Sequence, residues 1–307
     1  MRLISIIKRG IENPQNFYLS LLMHIARFIN SDSLFVSAMY KLYTGEKLNL
    51  RNPKTFNEKT QWLKVYDHNP LYHDLVDKYE VKKYVEKVLG GEYIIPTIGV
   101  WDSFDDINFD LLPQKFVLKS TNGGGSTGVV ICTDKASFDI SDAKRKLEAS
   151  MNYDIYRNMG EWVYKNIKPR IIAEEFLELP NGGSLNDYKF WCFNGSPKVL
   201  FYGSERFNDE KRPPYFDYYD MELNRLPLRS RGHQNSPIDL EIFPEFEQMK
   251  KIAEKLAGNI PFVRVDLYNV AGKILFGEMT FYHDSGFVPF DPKSWDVEFG
   301  SWLDIKN

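Results

Sequence analysis

The spacing of apolar residues divides the chain into a helical first part and a mixed second part. Up to about residue 88, apolar side chains recur every three or four positions, which is the period of a helix with one buried face. From Tyr93 the period changes to two, which is typical of strands. Helices and strands then alternate, but several strands follow one another as hairpins. This order favours an α+β fold over a doubly wound parallel sheet.

Local signals indicate where some of the helices begin. Thr55 and Glu58 fit a capping box, in which each residue satisfies a free backbone N–H near the other. Asp77 predicts a new helix start within residues 71–88, because an Asp side chain accepts hydrogen bonds from the first turn. Further helical stretches are predicted at residues 1–45, 137–164 and 246–257.

The segments after residue 90 that alternate in polarity, or that are short and apolar, are predicted to be strands. They are residues 93–101, 116–118, 129–132, 170–176, 188–193, 198–202, 262–268 and 273–279. Residues 206–233 are polar, aromatic and rich in proline, and they are predicted to form a long loop of the kind that often carries function.

The composition is that of an ordinary globular chain. Of 307 residues, 43 % are hydrophobic and 26 % are charged, which permits a large core and argues against long disorder. The net charge of −3 argues against broad nucleic-acid binding. Residues 1–60 carry nine Lys and Arg against four Asp and Glu. This basic start suits contact with the inner face of an anionic membrane, and the alternative is helices that pack on the rest of the fold.

The sequence excludes several other classes of protein. Its two cysteines, Cys132 and Cys192, are too few for a disulfide framework or a Cys-based zinc site. No apolar run reaches the roughly 18 residues of a membrane-spanning helix. Lys8 and Arg9 interrupt the first apolar run too early for a signal peptide. We therefore expect a cytoplasmic protein, with any membrane contact being peripheral.

The strongest local signal for chemistry is a glycine-rich segment at residues 119–128. It runs Lys-Ser-Thr-Asn-Gly-Gly-Gly-Ser-Thr-Gly between two predicted strands. Glycines let backbone N–H groups approach a phosphate, and Lys119 supplies a positive charge. The segment is neither a P-loop nor a Rossmann fingerprint, because a strand rather than a helix follows it. The alternative interpretation is a flexible hairpin loop.

The last predicted hairpin carries a second group of charged residues. Because alternate residues share a strand face, Arg264 and Asp266 point the same way, as do Glu278 and Thr280. A five-residue loop places Arg264 opposite Glu278 and Asp266 diagonal to it, and two carboxylates in that position suit Mg²⁺. A tight two-residue turn would put the two carboxylates on opposite faces. The interpretation without function is a solvated polar face.

Three weaker signals complete the set. An apolar strand at residues 171–177 includes two consecutive glutamates, and Asp187 and Lys189 share one face of the next strand. Lys78 lies at the predicted helix start. Solvated or edge-strand charges are the alternative explanation for each. The run His-Asp-Ser at residues 283–285 is no catalytic triad, because adjacent residues do not converge as nucleophile, base and orienter.

The order of these pieces resembles the ATP-grasp enzymes. More narrowly, it resembles the ATP-grasp family associated with teichuronopeptide and other cell-surface polysaccharide biosynthesis. The matching stretches cover about residues 40–305. They include Asn-Pro-Lys-Thr-Phe-Asn-Glu-Lys at 52–59, Phe-Val-Leu-Lys at 116–119, Asp-Tyr-Lys-Phe at 187–190, Phe-Gly-Glu at 276–278 and Ser-Gly-Phe at 285–287.

The resemblance implies an α+β ATP-grasp fold, in which two subdomains clasp ATP behind a short helical N-terminal region. It divides the chain into that helical region at residues 1–76, a small lid subdomain at 77–175 and a C-terminal subdomain at 176–307. The implied ligands are ATP and Mg²⁺.

The resemblance also implies a role for individual residues. Lys78 and Lys119 hold phosphates, Arg264 and Lys119 are catalytic, and Asp266 and Glu278 bind Mg²⁺, with Thr280 in the position where relatives carry an Asn ligand. The implied phosphate lid is Asn122, Gly123, Gly124, Gly125, Ser126, Thr127 and Gly128. The implied adenine hinge is Glu174, Glu175, Phe176 and Leu177, read through the backbone of Glu175 and Leu177. Asp187 is assigned to the ribose, and Lys189 and Arg206 to the acceptor.

The activity implied is ATP-dependent ligation of a carboxylate to an amine through an acylphosphate. The implied substrates are a glycan, or a nucleotide-linked or lipid-linked sugar, that carries a uronic acid, and an amino acid or other amine. Two alternatives stay open, a sugar-nucleotide glycosyltransferase and a kinase on the same fold. The glycosyltransferase should carry an Asp-x-Asp metal motif, and the sequence contains none.

Overall fold

The protein is described by a computed structural model that covers residues 28–125, 127–180, 182, 185–205, 213–230 and 232–305. Its first helices are α1 (Asp32–Thr44), α2 (Phe56–Tyr66), α3 (Leu71–Val76) and α4 (Val81–Val88). The capping box of Thr55 and Glu58 is present at the start of α2, as predicted. The prediction of helix for residues 1–27 lies outside the described residues. Within the described ranges, no helix combines the length and apolar character needed to cross a bilayer.

The predicted helix start at Asp77 marks a separate turn between α3 and α4. One carboxylate oxygen of Asp77 accepts hydrogen bonds from the backbone N–H groups of Tyr79 and Glu80, each at 2.9 Å. The chain therefore breaks at Asp77 and turns before α4 begins. This break leaves Lys78 outside a regular helix, where its backbone N–H donates to the carbonyl of Thr121 at 3.1 Å.

The middle of the chain forms a four-stranded antiparallel sheet with one long helix against it. Its elements are β1 (Thr97–Trp101), β2 (Phe116–Ser120), β3 (Val129–Cys132), α5 (Ile140–Met151), α6 (Ile155–Met159) and β4 (Ile171–Glu175). The strand order is β1-β4-β2-β3. Strands β2 and β3 form the predicted hairpin around the glycine-rich segment, with Phe116 opposite Cys132. Ala143 and Leu147 of α5 pack with Phe116 in the apolar core of this sheet.

The last part of the chain forms a five-stranded antiparallel sheet, β10-β9-β5-β6-β7, and a two-stranded one, β11-β8. Its elements are β5 (Asp187–Phe193), β6 (Ser196–Ser204), β7 (Tyr215–Tyr219), β8 (Arg229–Ser230), α7 (Phe246–Ala257), β9 (Phe262–Val270), β10 (Lys273–Thr280), β11 (Phe290–Asp291) and α8 (Ser294–Trp302).

The prediction of one long loop over residues 206–233 is wrong, because β7 and β8 lie within it. Tyr218 and Tyr219 are buried in β7, so this aromatic run forms an outer strand that packs into the core. The polar residues around the run concealed this pattern in the sequence. Residues 206–212 lie outside the described residues.

The N-terminal helices share the core of the five-stranded sheet. The ring of Phe56 in α2 stacks on Trp191 of β5 at a centroid distance of 5.3 Å and meets Phe262 of β9 edge-on at 4.8 Å. Such aromatic pairs add about 0.5–1.5 kcal/mol each beyond the area that they bury. Helices α2 and α3 therefore help to hold the strands that carry the charged residues. The division at residues 76 and 175 stays a prediction.

The last hairpin has the tight turn, but its strand register is not the one that the sequence predicted for that turn. The turn is the tight one: Lys273 pairs with Val270, and both turn residues have positive φ. The expected five-residue loop is therefore wrong. The carboxylates nevertheless share a face, because a β-bulge at Gly277 shifts the register by one residue. Glu278 stands opposite Asp266 as a result, whereas Arg264 stands opposite Thr280 rather than Glu278.

We expect Gly277→Ala to lower the free energy of unfolding by about 1–3 kcal/mol, because an added Cβ would crowd the backbone of the paired strand at the bulge. An added Cβ would lie 3.1 Å from the Asp266 carbonyl oxygen and 3.1 Å from the Tyr268 ring. Urea denaturation measures the change. Gly91→Ala is the matched control, since its Cβ would meet its nearest neighbour, a Glu86 carboxylate oxygen, at 3.9 Å. Equal unfolding midpoints for the two variants would contradict this account of the bulge.

Candidate active site

A cavity of about 380 Å³ lies between the two larger sheets and collects most of the predicted charged residues. Lys119 and Val129 line it from the four-stranded sheet, and Lys189 and Glu278 from the five-stranded one. Among the described residues, the Lys, Arg, Asp and Glu side chains on its walls are Lys78, Lys119, Asp187, Lys189, Arg264, Asp266, Glu278 and Asp284. Residues that are far apart in the chain thus meet in one pocket.

The guanidinium of Arg264 joins the two predicted metal ligands. Its Nε and Nη2 donate to the two oxygens of Asp266 at 2.7 and 2.8 Å, and Nη2 also donates to Glu278 at 3.1 Å. The two-pronged contact is possible because Arg264 and Asp266 are two residues apart on one strand and share a face. The Gly277 bulge then brings Glu278 to the same guanidinium.

A lysine on the neighbouring strand completes this charged layer. Lys189 Nζ lies 2.5 Å from Asp266 and 3.6 Å from Asp187. The predicted shared face of Asp187 and Lys189 is therefore present, and β5 pairs with β9 so that Lys189 stands opposite Asp266. Asp187, Lys189 and Asp266 are all buried, which makes this mutual compensation of charge necessary.

Glu278 stays ionised because cations surround it. Burial raises the pKa of its carboxyl, but the positive charges of Lys78, Arg264, Lys189 and Lys119 outweigh burial and hold the pKa at about 2. The Thr280 hydroxyl adds a hydrogen bond at 3.3 Å. Glu278 therefore carries its negative charge throughout the neutral range, as a carboxylate that is to bind a metal must.

The carboxylates of Asp266 and Glu278 fit Mg²⁺ in their chemistry. Both present hard oxygen donors, which Mg²⁺ prefers, and both converge on one nitrogen of Arg264. Among the described residues, no group of three or more His, Cys, Asp or Glu side chains is arranged to hold a metal ion alone. A pair of carboxylates is nevertheless the usual protein share of a Mg²⁺ site whose other ligands are phosphates and water.

Lys119 is held in place from within its own sheet. Its Nζ lies 2.6 Å from Glu174, and Lys82 of α4 contacts the other oxygen of the same carboxylate at 2.5 Å. Burial raises the pKa of Glu174, but Lys119 and Lys82 more than offset this effect and lower it. Sequence reasoning missed Lys82, because it precedes Glu174 by 92 positions and belongs to no motif.

Lys78 links the glycine-rich segment to the other sheet. Its Nζ donates to the carbonyl of Gly123 and lies 3.5 Å from Glu278. The side chain therefore points toward the cavity, and the predicted pairing of Lys78 with Lys119 around one ligand agrees with the geometry. Their assignment to phosphates stays a prediction.

Two glycines of the predicted lid have a structural reason for their small size. A Cβ on Gly123 or Gly128 would come within 2.3 Å of the Ser120 hydroxyl, which is hydrogen-bonded to Ser150 at 2.6 Å. Gly125, by contrast, has positive φ, open space around it and a place on the cavity wall. The remaining lid residues are Asn122, which is buried, Gly124, Thr127, which is exposed, and Ser126, which lies outside the described residues.

The predicted adenine hinge lies beside the cavity rather than on its described walls. The Glu175 N–H donates to the carbonyl of Pro96 at 3.1 Å, so this backbone donor already has a partner within the protein. Phe176 and Leu177 are half-buried beyond the end of β4. The adenine role of this segment stays a prediction, as does the acceptor role of Arg206, which is outside the described residues.

The cavity is also lined by residues to which the sequence assigned no role. His233, His283 and Asp284 line it together with Phe201 and Phe216. His283 Nδ1 lies 3.1 Å from Arg264 Nη1, and His283 Nε2 lies 3.2 Å from Asp284. His233 carried no sequence signal, since it lies within the region predicted to be a loop. Two residues of the run 283–285, which the sequence analysis rejected as a triad, thus line the cavity.

Buried polar side chains from other elements form hydrogen bonds to the loop that carries Asp284. Lys64 and Gln61 of α2 both donate to the carbonyl of Ser285, at 2.8 and 2.9 Å, and the Ser285 hydroxyl donates to Glu161 at 2.5 Å. Burial lowers the pKa of Lys64 and raises that of Glu161, while the attraction between the two opposes both shifts. We call Gln61, Lys64 and Glu161 the loop clamp.

Comparison with known proteins identifies the family of this chain. A family model described as TupA-like ATPgrasp matches residues 58–304. No curated protein matches the sequence at a significant level. Among solved structures, the chain is similar to an L-amino acid ligase from Bacillus licheniformis, with 15 % identity and a TM-score of 0.46. That likeness covers 75 % of this chain and 49 % of the other.

Two D-alanine–D-alanine ligases are similar at the same 15 % identity. The one from Bacillus anthracis, solved with ATP, has a TM-score of 0.37 and matches over 67 % of this chain and 53 % of its own. The one from Helicobacter pylori has a TM-score of 0.39, with 75 % and 61 % covered. This chain thus spans about half to three fifths of the length of these proteins. TM-scores below 0.5 are too low to support a functional inference.

The family match covers most of the chain and both sheets that enclose the cavity. It confirms the predicted α+β ATP-grasp fold, and the prediction of an ATP-dependent ligase agrees with it. The narrower association with surface-polysaccharide synthesis stays a prediction. On the strength of this match, the chain belongs to the TupA-like ATP-grasp family.

Proposed function

We propose that this protein is an ATP-dependent carboxylate–amine ligase that acts through an acylphosphate. The observation that carries the proposal is the convergence of Asp266 and Glu278 on Arg264, facing Lys78 and Lys119 across one cavity. Paired carboxylates for Mg²⁺ and facing lysines for phosphates are what binding and polarising a nucleoside triphosphate requires. Membership of an ATP-grasp family supports the same conclusion.

The proposed reaction needs no nucleophile from the protein. A substrate carboxylate attacks the terminal phosphorus of ATP, the bond to the bridging oxygen breaks, and ADP leaves. The amine then attacks the acyl carbon, and phosphate leaves as the amide forms. The described cavity wall carries no Ser or Cys, and Cys132 and Cys192 are buried elsewhere. The side chains therefore act by positioning and by neutralising charge.

Each group has a defined task in this proposal. Lys78 and Lys119 bind phosphate oxygens, and Arg264 stabilises the negative charge that grows on the transferred phosphoryl group and on the tetrahedral intermediate. Asp266 and Glu278 would hold Mg²⁺, with the Thr280 hydroxyl beside them. When bound, that ion supplies further neutralisation of phosphate charge. Asp187 is assigned to the ribose.

For the substrates, we propose a uronic acid on a surface glycan or its nucleotide-linked or lipid-linked precursor, and an amino acid or other amine. The support is the family resemblance of the sequence motifs, several of which surround the cavity. A cytoplasmic location with peripheral contact at the inner membrane face belongs to the same proposal. Its sequence signal is the basic stretch at residues 1–60, of which residues 1–27 lie outside the described residues.

A trapping assay tests the reaction class. The enzyme, Mg-ATP and UDP-glucuronate are incubated with hydroxylamine, which converts an acylphosphate into a hydroxamate. Formation of ADP and hydroxamate together supports the ligase. Formation of ADP with a stable phosphorylated product would favour a kinase instead. Release of UDP without ADP would overturn the proposal in favour of a glycosyltransferase.

We expect Lys119→Met to abolish the thermal stabilisation that Mg-ATP gives the wild type, because the phosphate-facing charge is lost while the apolar stem remains. At about a hundredfold the Kd, a ligand stabilises the folded state by about 2.7 kcal/mol, which a thermal shift detects easily. Lys146→Met, which removes a surface lysine of α5, should keep the full shift. A full shift in Lys119→Met would refute the role of Lys119.

We expect Glu278→Gln to weaken ATP binding about tenfold or more in the presence of Mg²⁺, because one of two carboxylate ligands is lost. Without Mg²⁺ the affinity should stay level or rise, since a negative charge near the phosphates has gone. Titration calorimetry with and without the metal separates the two effects. Glu178→Gln, at an exposed ion pair, serves as the control. Equal losses in both conditions would exclude Glu278 as a Mg²⁺ ligand.

A further inference from the structure

The loop at residues 283–286 is held in an unfavourable backbone conformation. Asp284 and Ser285 have φ of 47° and 54°, and Gly286 has φ of 61°. Non-glycine residues in this left-handed region cost free energy, and such strain persists where the surrounding structure enforces it. The loop clamp of Gln61, Lys64 and Glu161 provides that enforcement through buried hydrogen bonds.

The strained loop places one carboxylate in the cavity that has no Lys or Arg partner within 4 Å among the described residues. Among the described residues, the other cavity-lining carboxylates, Asp187, Asp266 and Glu278, each contact Lys or Arg within 4 Å. Asp284 contacts only His283 in this way, and 35 % of its side chain is exposed. Lys and Arg side chains of the pocket thus pair with the other three carboxylates. Burial raises the pKa of Asp284, but His283, Arg264 and His233 stabilise its ionised form and lower that pKa.

His283 connects the cavity wall at Asp284 to the reaction centre. Arg264 is always a donor, so the His283 Nδ1 that it contacts at 3.1 Å acts as the acceptor, which leaves the proton of a neutral ring on Nε2. His283 is only 3 % exposed, and Nε2 makes no well-formed hydrogen bond within the described residues, although Asp284 lies 3.2 Å away. The Nε2 proton therefore faces the carboxylate of Asp284, so that His283 orients Asp284.

We propose that Asp284, oriented by His283, binds the amine of the second substrate in its ammonium form, which releases one proton to water before its nitrogen attacks the acyl carbon. This inference rests on the proposed ligase function and names the subsite that receives the nucleophile. The ring of Phe216 lies beside His233 at 4.6 Å, so the wall also offers aromatic surface to an ammonium group. His283 lies between Asp284 and the guanidinium of Arg264, to which we assign the transferred phosphoryl group. An amine bound at Asp284 would therefore lie close to the acyl carbon.

The cation at this wall is an organic amine rather than a second metal ion. No described group of three or more His, Cys, Asp or Glu residues is arranged for a metal, although His233, His283 and Asp284 line the same wall. A single carboxylate flanked by imidazole and phenyl rings suits one ammonium group, which needs a negative charge and a few acceptors.

The test uses the full-length protein loaded with Mg-ADP and a set of amines as thermal-shift probes. The probes are the twenty amino acids, ethanolamine and glucosamine, each matched with its N-acetyl derivative, which carries no positive charge. We expect one or more free amines to raise the melting temperature further and their N-acetyl partners to have no effect. In Asp284→Asn the affinity for that amine should fall about tenfold or more, with Mg-ADP binding unchanged.

Matched variants exclude a trivial loss of folding. Asparagine tolerates the left-handed backbone, and Asp284→Gly, which removes the strain as well as the charge, should lose amine binding to the same extent. Asp102→Asn, at a surface ion pair, should behave as wild type. Amine binding that survives in Asp284→Asn, or ADP stabilisation with no response to any free amine, would overturn the inference and leave the ligase proposal standing. Failure of ADP itself to stabilise the wild type would instead overturn the proposed function.

Discussion

The cavity depends on one guanidinium that two carboxylates share. Arg264 holds Asp266 through two parallel hydrogen bonds and reaches Glu278 with the same nitrogen. Three charged groups tolerate this low-dielectric position because each compensates another. The contact exists only because the bulge at Gly277 moves Glu278 onto the face of Asp266. A regular hairpin with the same turn would separate the two carboxylates and leave each without its shared partner.

Charge compensation also ties the two sheets together. Lys78 contacts both the Gly123 carbonyl in the glycine-rich segment and Glu278 on the five-stranded sheet. Lys119 forms an ion pair with Glu174 within its own sheet. Each lysine therefore has a carboxylate partner before any ligand arrives, so that much of its side-chain entropy is already lost when the ligand binds. A triphosphate that enters the cavity would meet cations that are already positioned, as electrostatic preorganisation requires.

The position of the loop that carries Asp284 depends on residues that do not line the cavity. Gln61, Lys64 and Glu161 are buried below the loop that carries Asp284, and they satisfy its carbonyl and hydroxyl groups. Because Lys64 and Gln61 belong to α2, the packing of α2 on the five-stranded sheet also helps to fix the position of a loop that lines the pocket. The N-terminal helices therefore support the position of Asp284 as well as the core.

The sequence by itself determined the features that depend on neighbouring residues. The capping box of α2, the hairpin around the glycine-rich segment and the shared face of Arg264 and Asp266 all follow from local periodicity and local hydrogen bonding. Motif order was also sufficient to indicate the family. Tertiary structure alone decided the register at Gly277 and the meeting of His233 with Asp284, because both depend on non-local pairing. A one-residue shift of register changes which face every later side chain occupies, and nothing in the local pattern records that shift.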